Sequence, residues 1–241
     1  MPDHLVRSLW VWPFILAGLF YRALAHVVNT DPDSPFWWIE VCLYALMLTG
    51  LLLRGGQGFG LDPGRRGAVL VFLALFWAFG MCYELGLTID GTGVGGMHPQ
   101  TRASFILAQG QYVLMALATL WMVRRWHLGF AGAFWIAAGT SMAEGLIFTG
   151  VLTATVLGPN WVWSPVLFAY YALAYASFTA LPLLVLAPQS LWRPAQPGWR
   201  PQPLLLGVIG FGVGVVIALI WGLGWGPLAT WAFALPPNPL D

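Results

Sequence analysis

The chain contains no lysine among its 241 residues, so arginine supplies all ten of its fixed positive side chains. This absence excludes chemistry that needs a lysine Schiff base, including the attachment of retinal. Charge of either sign is also scarce, because only 8% of the residues are charged, whereas a soluble domain carries about 25%. So few charges cannot form a water-facing surface, and lipid must therefore cover most of the molecule.

Cysteine and histidine are scarce as well. The two cysteines, Cys42 and Cys82, both fall in apolar runs and cannot form the disulfide framework of a small secreted protein. Of the four histidines only His26 is expected inside the membrane, which argues against a haem held by two histidines. The sequence also lacks an HExxH zinc motif, a Walker motif and a serine nucleophile elbow. We therefore predict no metal and no cofactor.

Long apolar runs dominate what remains, since 59% of the residues are hydrophobic. The net charge of +1 gives no reason to expect a nucleic-acid partner. Lipid cannot satisfy open backbone groups, so a membrane span is a helix or part of a closed barrel. The length of the runs, without polar alternation, indicates helices. We predict an all-α integral membrane protein whose residues 1–241 form one polytopic domain with seven transmembrane helices, at about 9–28, 37–53, 67–88, 103–123, 129–157, 165–187 and 204–225.

The distribution of arginine predicts how the helices are oriented. In a seven-span topology one side of the membrane receives most of the arginines, namely Arg7, Arg54, Arg65, Arg66, Arg124, Arg125, Arg193 and Arg200. Cytoplasmic loops carry an excess of positive charge. We therefore expect a cytoplasmic N-terminus, an extracytoplasmic C-terminus and a multi-pass location in a cell membrane, in particular the bacterial cytoplasmic membrane.

Small residues recur every four positions along the last predicted helix, at Gly210, Gly214, Ala218 and Gly222. Such a ridge lets another helix backbone approach closely, which drives helix association in lipid. Two interpretations stay open. The ridge packs against another helix of the same chain, or it forms a contact in a homodimer or a larger complex.

Ionisable residues inside the predicted spans are functional candidates, because a charge in hydrocarbon is costly unless it is paired or hydrated. The topology brings Arg22, His26, Glu40 and Glu84 into the outer half of the membrane, on three helices. We therefore predict an outer-leaflet polar cluster. The structural alternative is that Arg22 neutralises Glu40 or Glu84 and holds the helices in register.

Glu144 differs from the other glutamates because it lies near the middle of the fifth predicted span. We expect its carboxyl group to be protonated there and to carry a proton in catalysis or transport. The alternative is an interhelical hydrogen bond to Tyr170, Tyr171, Gln109 or Gln111. Tyr44 and Tyr83 are possible hydrogen-bond partners for the glutamates nearest to them.

A glycine-rich loop, GTGVGG at Gly91 to Gly96, follows the third predicted span and leads to His98 and Arg102. Glycine backbone amides can surround a phosphate, so a lipid or prenyl diphosphate headgroup could bind there. The alternative is a flexible surface loop. The predicted substrate-binding residues are Arg22, Tyr44, Tyr83, His98, Arg102 and Trp77.

These residues suggest a cofactor-independent enzyme, or a binding protein, for a membrane lipid or another lipophilic molecule such as an isoprenoid. Glu84, Glu40, Glu144 and His26 would act as acids and bases in an isomerase, cyclase or hydratase. One alternative is a proton-coupled transporter of a small solute. The other is a non-catalytic subunit or assembly factor of a larger membrane complex.

Overall fold

The computed structural model describes residues 11, 13–20, 35–52, 59–89, 101–148, 151–159, 161–192 and 202–235. Almost all of this part of the chain is helical. The helices are α1 (residues 13–20), α2 (Pro35–Leu52), α3 (Gly64–Ile89), α4 (Thr101–Trp126), α5 (Phe130–Ala143), α6 (Val151–Leu157), α7 (Ser164–Thr179), α8 (Pro182–Val185), α9 (Pro203–Ile220) and α10 (Gly226–Ala232).

Two wider helical turns of the π type connect some of these helices. The first, Glu144–Phe148, continues α5, and the second, Trp221–Trp225, joins α9 to α10. A single turn of this kind lengthens a helix by one residue without ending it. As a result α9, the second π-turn and α10 form one apolar helix, Pro203–Ala232.

Four helical segments of the described chain are long and apolar enough to cross a membrane: Gly64–Gly86, Phe105–Trp126, Phe130–Ile147 and Pro203–Ala232. A bilayer core of about 30 Å needs about 20 helical residues. A shorter apolar helix, Trp38–Leu52, accompanies them. The protein is therefore a helical membrane protein, and four of the predicted spans correspond to long apolar helices.

The span predicted over residues 165–187 is not one continuous helix. Helix α7 ends at Thr179 and the short α8 begins at Pro182. Proline lacks the N–H that would continue the helix, and its ring clashes with the preceding turn. After α8 the backbone is extended and pairs with the segment before α3, where the N–H of Leu61 donates to Val185 O at 2.9 Å.

Helices α5 and α9 pack most closely, because glycines allow their backbones to meet. A Cβ atom at Gly139 would overlap the carbonyl oxygen of Gly207, and one at Gly210 would overlap that of Ile136. The Thr140 hydroxyl lies 3.1 Å from Gly210 O. The single proton of this hydroxyl can go to Gly210 O or to Ile136 O of its own helix at 3.0 Å, so the close approach offers an interhelical hydrogen bond besides van der Waals packing.

Part of the glycine ridge on the last helix is thus used within the chain. Gly210 and Gly214 both face α5, and a Cβ atom at Gly214 would lie 2.9 Å from the carbonyl oxygen of Thr140. Gly222, farther along the same line, faces open space. A homodimer or subunit contact on this helix stays a prediction and would have to use the Gly222 part of the ridge.

Three connecting segments meet at one end of the helices. Arg65 donates from its guanidinium to Trp192 O at 2.8 Å, and the indole N–H of Trp192 donates to Leu128 O at 3.0 Å. These contacts join the start of α3, the α4–α5 connection and the segment after α8. We call this the arginine-rich end, since it carries Arg65, Arg66, Arg124 and Arg125.

Candidate functional site

The first buried polar group is centred on Glu40 of α2, whose side chain is fully buried. Its Oε1 accepts hydrogen bonds from the hydroxyls of Tyr44 (2.9 Å), Tyr83 (3.0 Å) and Tyr170 (2.8 Å). Tyr44 lies one turn later on the same helix, Tyr83 lies on α3 and Tyr170 lies on α7. We call these four residues the Glu40 cluster.

The Glu40 cluster offers more hydroxyl donors than one oxygen can accept. A carboxylate oxygen has about two lone-pair sites, and three tyrosine hydroxyls approach Oε1. The hydroxyl oxygens of Tyr83 and Tyr170 are 3.5 Å apart, so one of them can donate to the other. The cluster therefore ties α2, α3 and α7 together and provides hydroxyl groups along which a proton can be passed.

A second buried polar group includes Glu84, which is fully buried on α3. The hydroxyl of Tyr112 on α4 donates to Glu84 Oε2 at 3.3 Å. Tyr112 is adjacent in α4 to Gln111, which bonds to Glu144. We call Glu84 and Glu144 the carboxyl pair, since neighbouring residues of α4 bond to both.

Gln111 connects the carboxyl pair to α7. Its side chain forms a hydrogen bond with Glu144 and donates from Nε2 to the hydroxyl of Tyr175 at 2.9 Å. An amide NH₂ group has two donors, so one glutamine can serve both partners. The bond between Gln111 and Glu144 is one of the interhelical alternatives that the sequence left open.

Glu144 is the first residue of the π-turn that follows α5. Such turns are rare and often lie at functional sites. The turn alters the backbone hydrogen-bond pattern, and the hydroxyl of Thr153 donates to Leu146 O at 2.6 Å. Gly145 makes room for this geometry, because the side chain of Leu152 occupies the position where a Cβ atom at residue 145 would stand.

Phe178, near the end of α7, contacts aromatic residues of both polar groups and is 1% exposed. Its ring centroid is 5.7 Å from that of Tyr83, which donates to Glu40. It is 5.1 Å from the ring of Tyr112, which donates to Glu84, and 5.1 Å from that of Tyr175. Phe178 therefore packs against Tyr83 of the first polar group and against Tyr112 and Tyr175 near the second.

The contacts among the predicted site residues differ from those that the sequence predicted. Glu40 and Glu84 are buried side chains on neighbouring helices. Tyr44 bonds to Glu40, its nearest glutamate, whereas Tyr83 bonds to Glu40 and not to the adjacent Glu84 as a local partner. The deeper position expected for Glu144 stays a prediction, and its side chain forms a hydrogen bond with Gln111 of α4.

Trp77 is not part of either polar group in the structure. Its side chain is 51% exposed on the outside of α3, and its indole N–H donates to Gln109 Oε1 at 2.8 Å. Arg22, His26 and His98 lie outside the described residues. Arg102 belongs to the first turn of α4, but its side chain lies outside the described part.

Several residues of the two polar groups could not be assigned from the sequence. Tyr112, Tyr175 and Phe178 carried no motif, and Tyr170 was considered only as a partner of Glu144. One pattern in the sequence pointed to Tyr175. It lies four residues after Tyr171, so the two tyrosines share a face of α7. Within the described ranges, no group of three or more His, Cys, Asp or Glu residues could hold a metal ion.

The comparisons with known proteins give one similarity. A curated protein of Escherichia coli O17:K52:H18 (strain UMN026 / ExPEC), named "Putative ion-transport protein YfeO", is 30% identical over 154 residues. These residues cover 61% of this chain and 35% of that protein, so the chain spans about a third of the length of the curated relative that it matches. No family model and no solved structure matches.

Proposed function

We propose that the protein is a proton-coupled transporter of a small solute or ion, with the carboxyl pair as its proton-binding site. One observation carries this proposal. Glu84 and Glu144 lie on different apolar helices, and adjacent residues of α4, Tyr112 and Gln111, bond to them inside the bundle. Carboxyl groups buried among transmembrane helices are typical of proton relays and ion pathways.

Electrostatic repulsion explains how such a pair could couple the movement of protons to that of a second solute or ion. Two carboxyl groups that are both ionised in a medium of low dielectric repel each other. They need positive charge nearby, which a proton or a bound cation can supply. A carboxyl pair that takes up a proton from one side and releases it to the other can therefore link proton movement to that of a second species.

The similarity to an ion-transport protein supports transport over the other hypotheses. Acid–base chemistry on an isoprenoid or another lipid would use the same glutamates, but neither the comparisons nor the geometry of Glu40, Glu84 and Glu144 adds an argument for it. A role as a non-catalytic subunit has no observation of its own in favour. We therefore prefer the transporter and treat the other two as competing outcomes of its tests.

The proposal includes seven transmembrane helices with a cytoplasmic N-terminus, in a multi-pass arrangement in the bacterial cytoplasmic membrane. The arginine-rich end supports this topology. Its segments, before α3, between α4 and α5 and after α8, were all predicted on the same side, and the contacts of Arg65 and Trp192 join them. An excess of arginine marks the cytoplasmic side.

Cysteine labelling tests the orientation. With Cys42 and Cys82 replaced by alanine, Asp62→Cys places a thiol at the arginine-rich end, and Trp161→Cys places one at the exposed turn before α7. We expect a membrane-impermeant maleimide to label Trp161→Cys in intact cells and Asp62→Cys only after permeabilisation. The opposite pattern would show that the topology is inverted.

Proton flux in proteoliposomes tests the function itself. Liposomes loaded with a pH-sensitive dye are exposed to gradients of chloride, sodium, potassium or acetate. We expect one of these gradients to drive protons through the unmodified protein. Glu84→Gln and Glu144→Gln should each lower that flux by at least about tenfold, the factor that corresponds to about 1.4 kcal/mol, because glutamine cannot carry the proton.

Asp62→Asn is the matched control for this experiment. It makes the same acid-to-amide change outside the apolar helices, and Asn keeps an oxygen for the N–H of Gly64, which Asp62 Oδ1 accepts at 3.1 Å. We expect Asp62→Asn to transport like the unmodified protein. Full flux in both glutamine variants would overturn the proposal, as would an unmodified protein that none of the gradients drives above protein-free liposomes.

A further inference from the structure

We propose that the surface shared by α3 and α4 at the arginine-rich end binds the phosphate headgroup of an anionic phospholipid. We call this surface the lipid site, and it consists of Arg66 and Leu70 on α3 and of Leu117, Trp121 and Arg124 on α4. The inference goes beyond the proposed function, because it does not depend on which solute or ion the protein carries.

The start of α3 and the end of α4 lie at the same end of the molecule, because residues next to both bond to Trp192. Arg65 donates to Trp192 O at 2.8 Å, and the Trp192 indole donates to Leu128 O at 3.0 Å. Arg66 directly follows Arg65, and Arg124 lies four residues before Leu128. These two arginines therefore belong to the same end of two neighbouring helices.

Each of the two helices carries an exposed apolar line that ends in one of these arginines. On α3, Arg66 lies one turn before Leu70. On α4, Arg124 lies three residues after Trp121 and seven after Leu117. Residues at these spacings share a face of a helix. Leu70, Leu117 and Trp121 are 68%, 53% and 54% exposed, so this face of each helix is turned towards lipid.

A hydrogen bond between the helices shows that the two exposed lines are neighbours. Trp77, which lies seven residues after Leu70, donates from its exposed indole to Gln109 Oε1 of α4 at 2.8 Å. From Gln109, steps of four residues lead through the exposed Val113 to Leu117. The two lines therefore lie side by side on the membrane-facing surface of the α3–α4 pair.

The charges at this end favour an anion. Arg66 and Arg125 are exposed and Arg124 is half-buried, whereas the acid that the structure describes here is Asp62, whose Oδ1 accepts the N–H of Gly64. The Nε of Arg124 is buried and has no hydrogen-bond partner among the described residues. A phosphate can accept two parallel hydrogen bonds from one guanidinium, which is a strong and specific geometry.

The position of the arginines along the helices favours a phospholipid over a free anion. The apolar span of α3 begins at Gly64 and that of α4 ends at Trp126. The arginines thus lie where the hydrocarbon core gives way to the headgroups. Leu70, Leu117 and Trp121 offer acyl chains an apolar surface next to the arginines. Tryptophan is enriched at this membrane depth.

Native mass spectrometry of the full chain in detergent tests the lipid site. The protein is incubated with equal amounts of dioleoylphosphatidylglycerol and dioleoylphosphatidylcholine, which share their acyl chains and phosphate but differ in net charge. We expect the unmodified protein to retain phosphatidylglycerol over phosphatidylcholine by about tenfold, and the double variant Arg66→Gln, Arg124→Gln to retain the two about equally. The double variant Arg66→Lys, Arg124→Lys should lie in between, because lysine keeps the charge and loses the paired hydrogen bonds.

The double variant Arg193→Gln, Arg200→Gln is the matched control. It removes the same charge from the sequence between α8 and α9, which is predicted to lie on the same side of the membrane. We expect it to keep the preference for phosphatidylglycerol. An equal loss in both glutamine variants would show a general attraction of positive charge, and would exclude the lipid site. No preference in the unmodified protein would exclude it as well.

Two further measurements complete the test. Inorganic phosphate in large excess should leave phosphatidylglycerol bound, because it lacks acyl chains, and displacement would show a site for a free anion. If the double glutamine variant fails to fold, the single change Arg66→Gln alters only an exposed side chain. It should lower the preference in the same direction by a smaller factor, and an unchanged preference would overturn the proposal.

Discussion

Replacing Gly210 with valine is expected to destabilise the folded protein strongly. A Cβ atom at this position would already overlap the carbonyl oxygen of Ile136, which is backbone and cannot rotate away. The valine would therefore push α9 off α5 and break the contact between Thr140 and Gly210 O, at a cost of about 3 kcal/mol or more. The loss of stability is measured by thermal unfolding in detergent, with size-exclusion chromatography as the readout.

Gly212 provides a matched control on the same helix. No atom of another element lies within 4 Å of the position that its Cβ would occupy. Gly212→Ala should be neutral or stabilising, because alanine is favoured over glycine inside a helix by about 1 kcal/mol. Equal stability of the Gly210→Val and Gly212→Ala proteins would show that α5 and α9 do not meet along the glycine line.

The second large effect is expected from Glu40→Leu. Leucine is apolar and removes the acceptor that the hydroxyls of Tyr44, Tyr83 and Tyr170 share. Tyr83 and Tyr170 can still bond to each other, so about two buried hydroxyl hydrogen bonds are lost. A hydrogen bond within a protein contributes about 1 kcal/mol to its stability, so we expect Glu40→Leu to cost about 2–3 kcal/mol.

Two milder variants test whether the missing acceptor causes this loss. Glu40→Gln keeps one carbonyl oxygen and should cost clearly less than Glu40→Leu. Tyr83→Phe removes one of the three donors and should cost about 1 kcal/mol. The midpoint of thermal unfolding in detergent ranks the three proteins. A Glu40→Leu protein as stable as the unmodified one would mean that the cluster contributes no stability.

Composition and run length were sufficient to predict a helical membrane protein. The predicted third, fourth and seventh spans correspond to long helices because each is a continuous apolar run bounded by glycine, proline and arginine. The break after Thr179 was harder to predict, although Pro182 is visible in the sequence. Proline is tolerated in membrane helices when neighbours satisfy the freed backbone, so only the packing decides whether the helix continues.

The carboxyl groups of the candidate site could be predicted from the sequence, but the residues that bond to them were harder to predict. Glu40, Glu84 and Glu144 stood out because an acid in an apolar run is costly, and this argument needs no structure. Which residues face them depends on helix rotation and tilt, which the sequence does not specify. Tyr83 and Glu84 show this clearly, since they are adjacent in the chain and yet bond to different helices.

The line of glycines between α5 and α9 has a consequence for biogenesis. The last helix is the most apolar of the four long helices of the described chain, and most of its other faces are uncovered. Such a segment can enter the bilayer as a separate unit, since insertion needs only its own hydrophobicity and internal backbone bonds. Its docking onto α5 is then a later step within lipid, directed by the few positions where the two backbones touch.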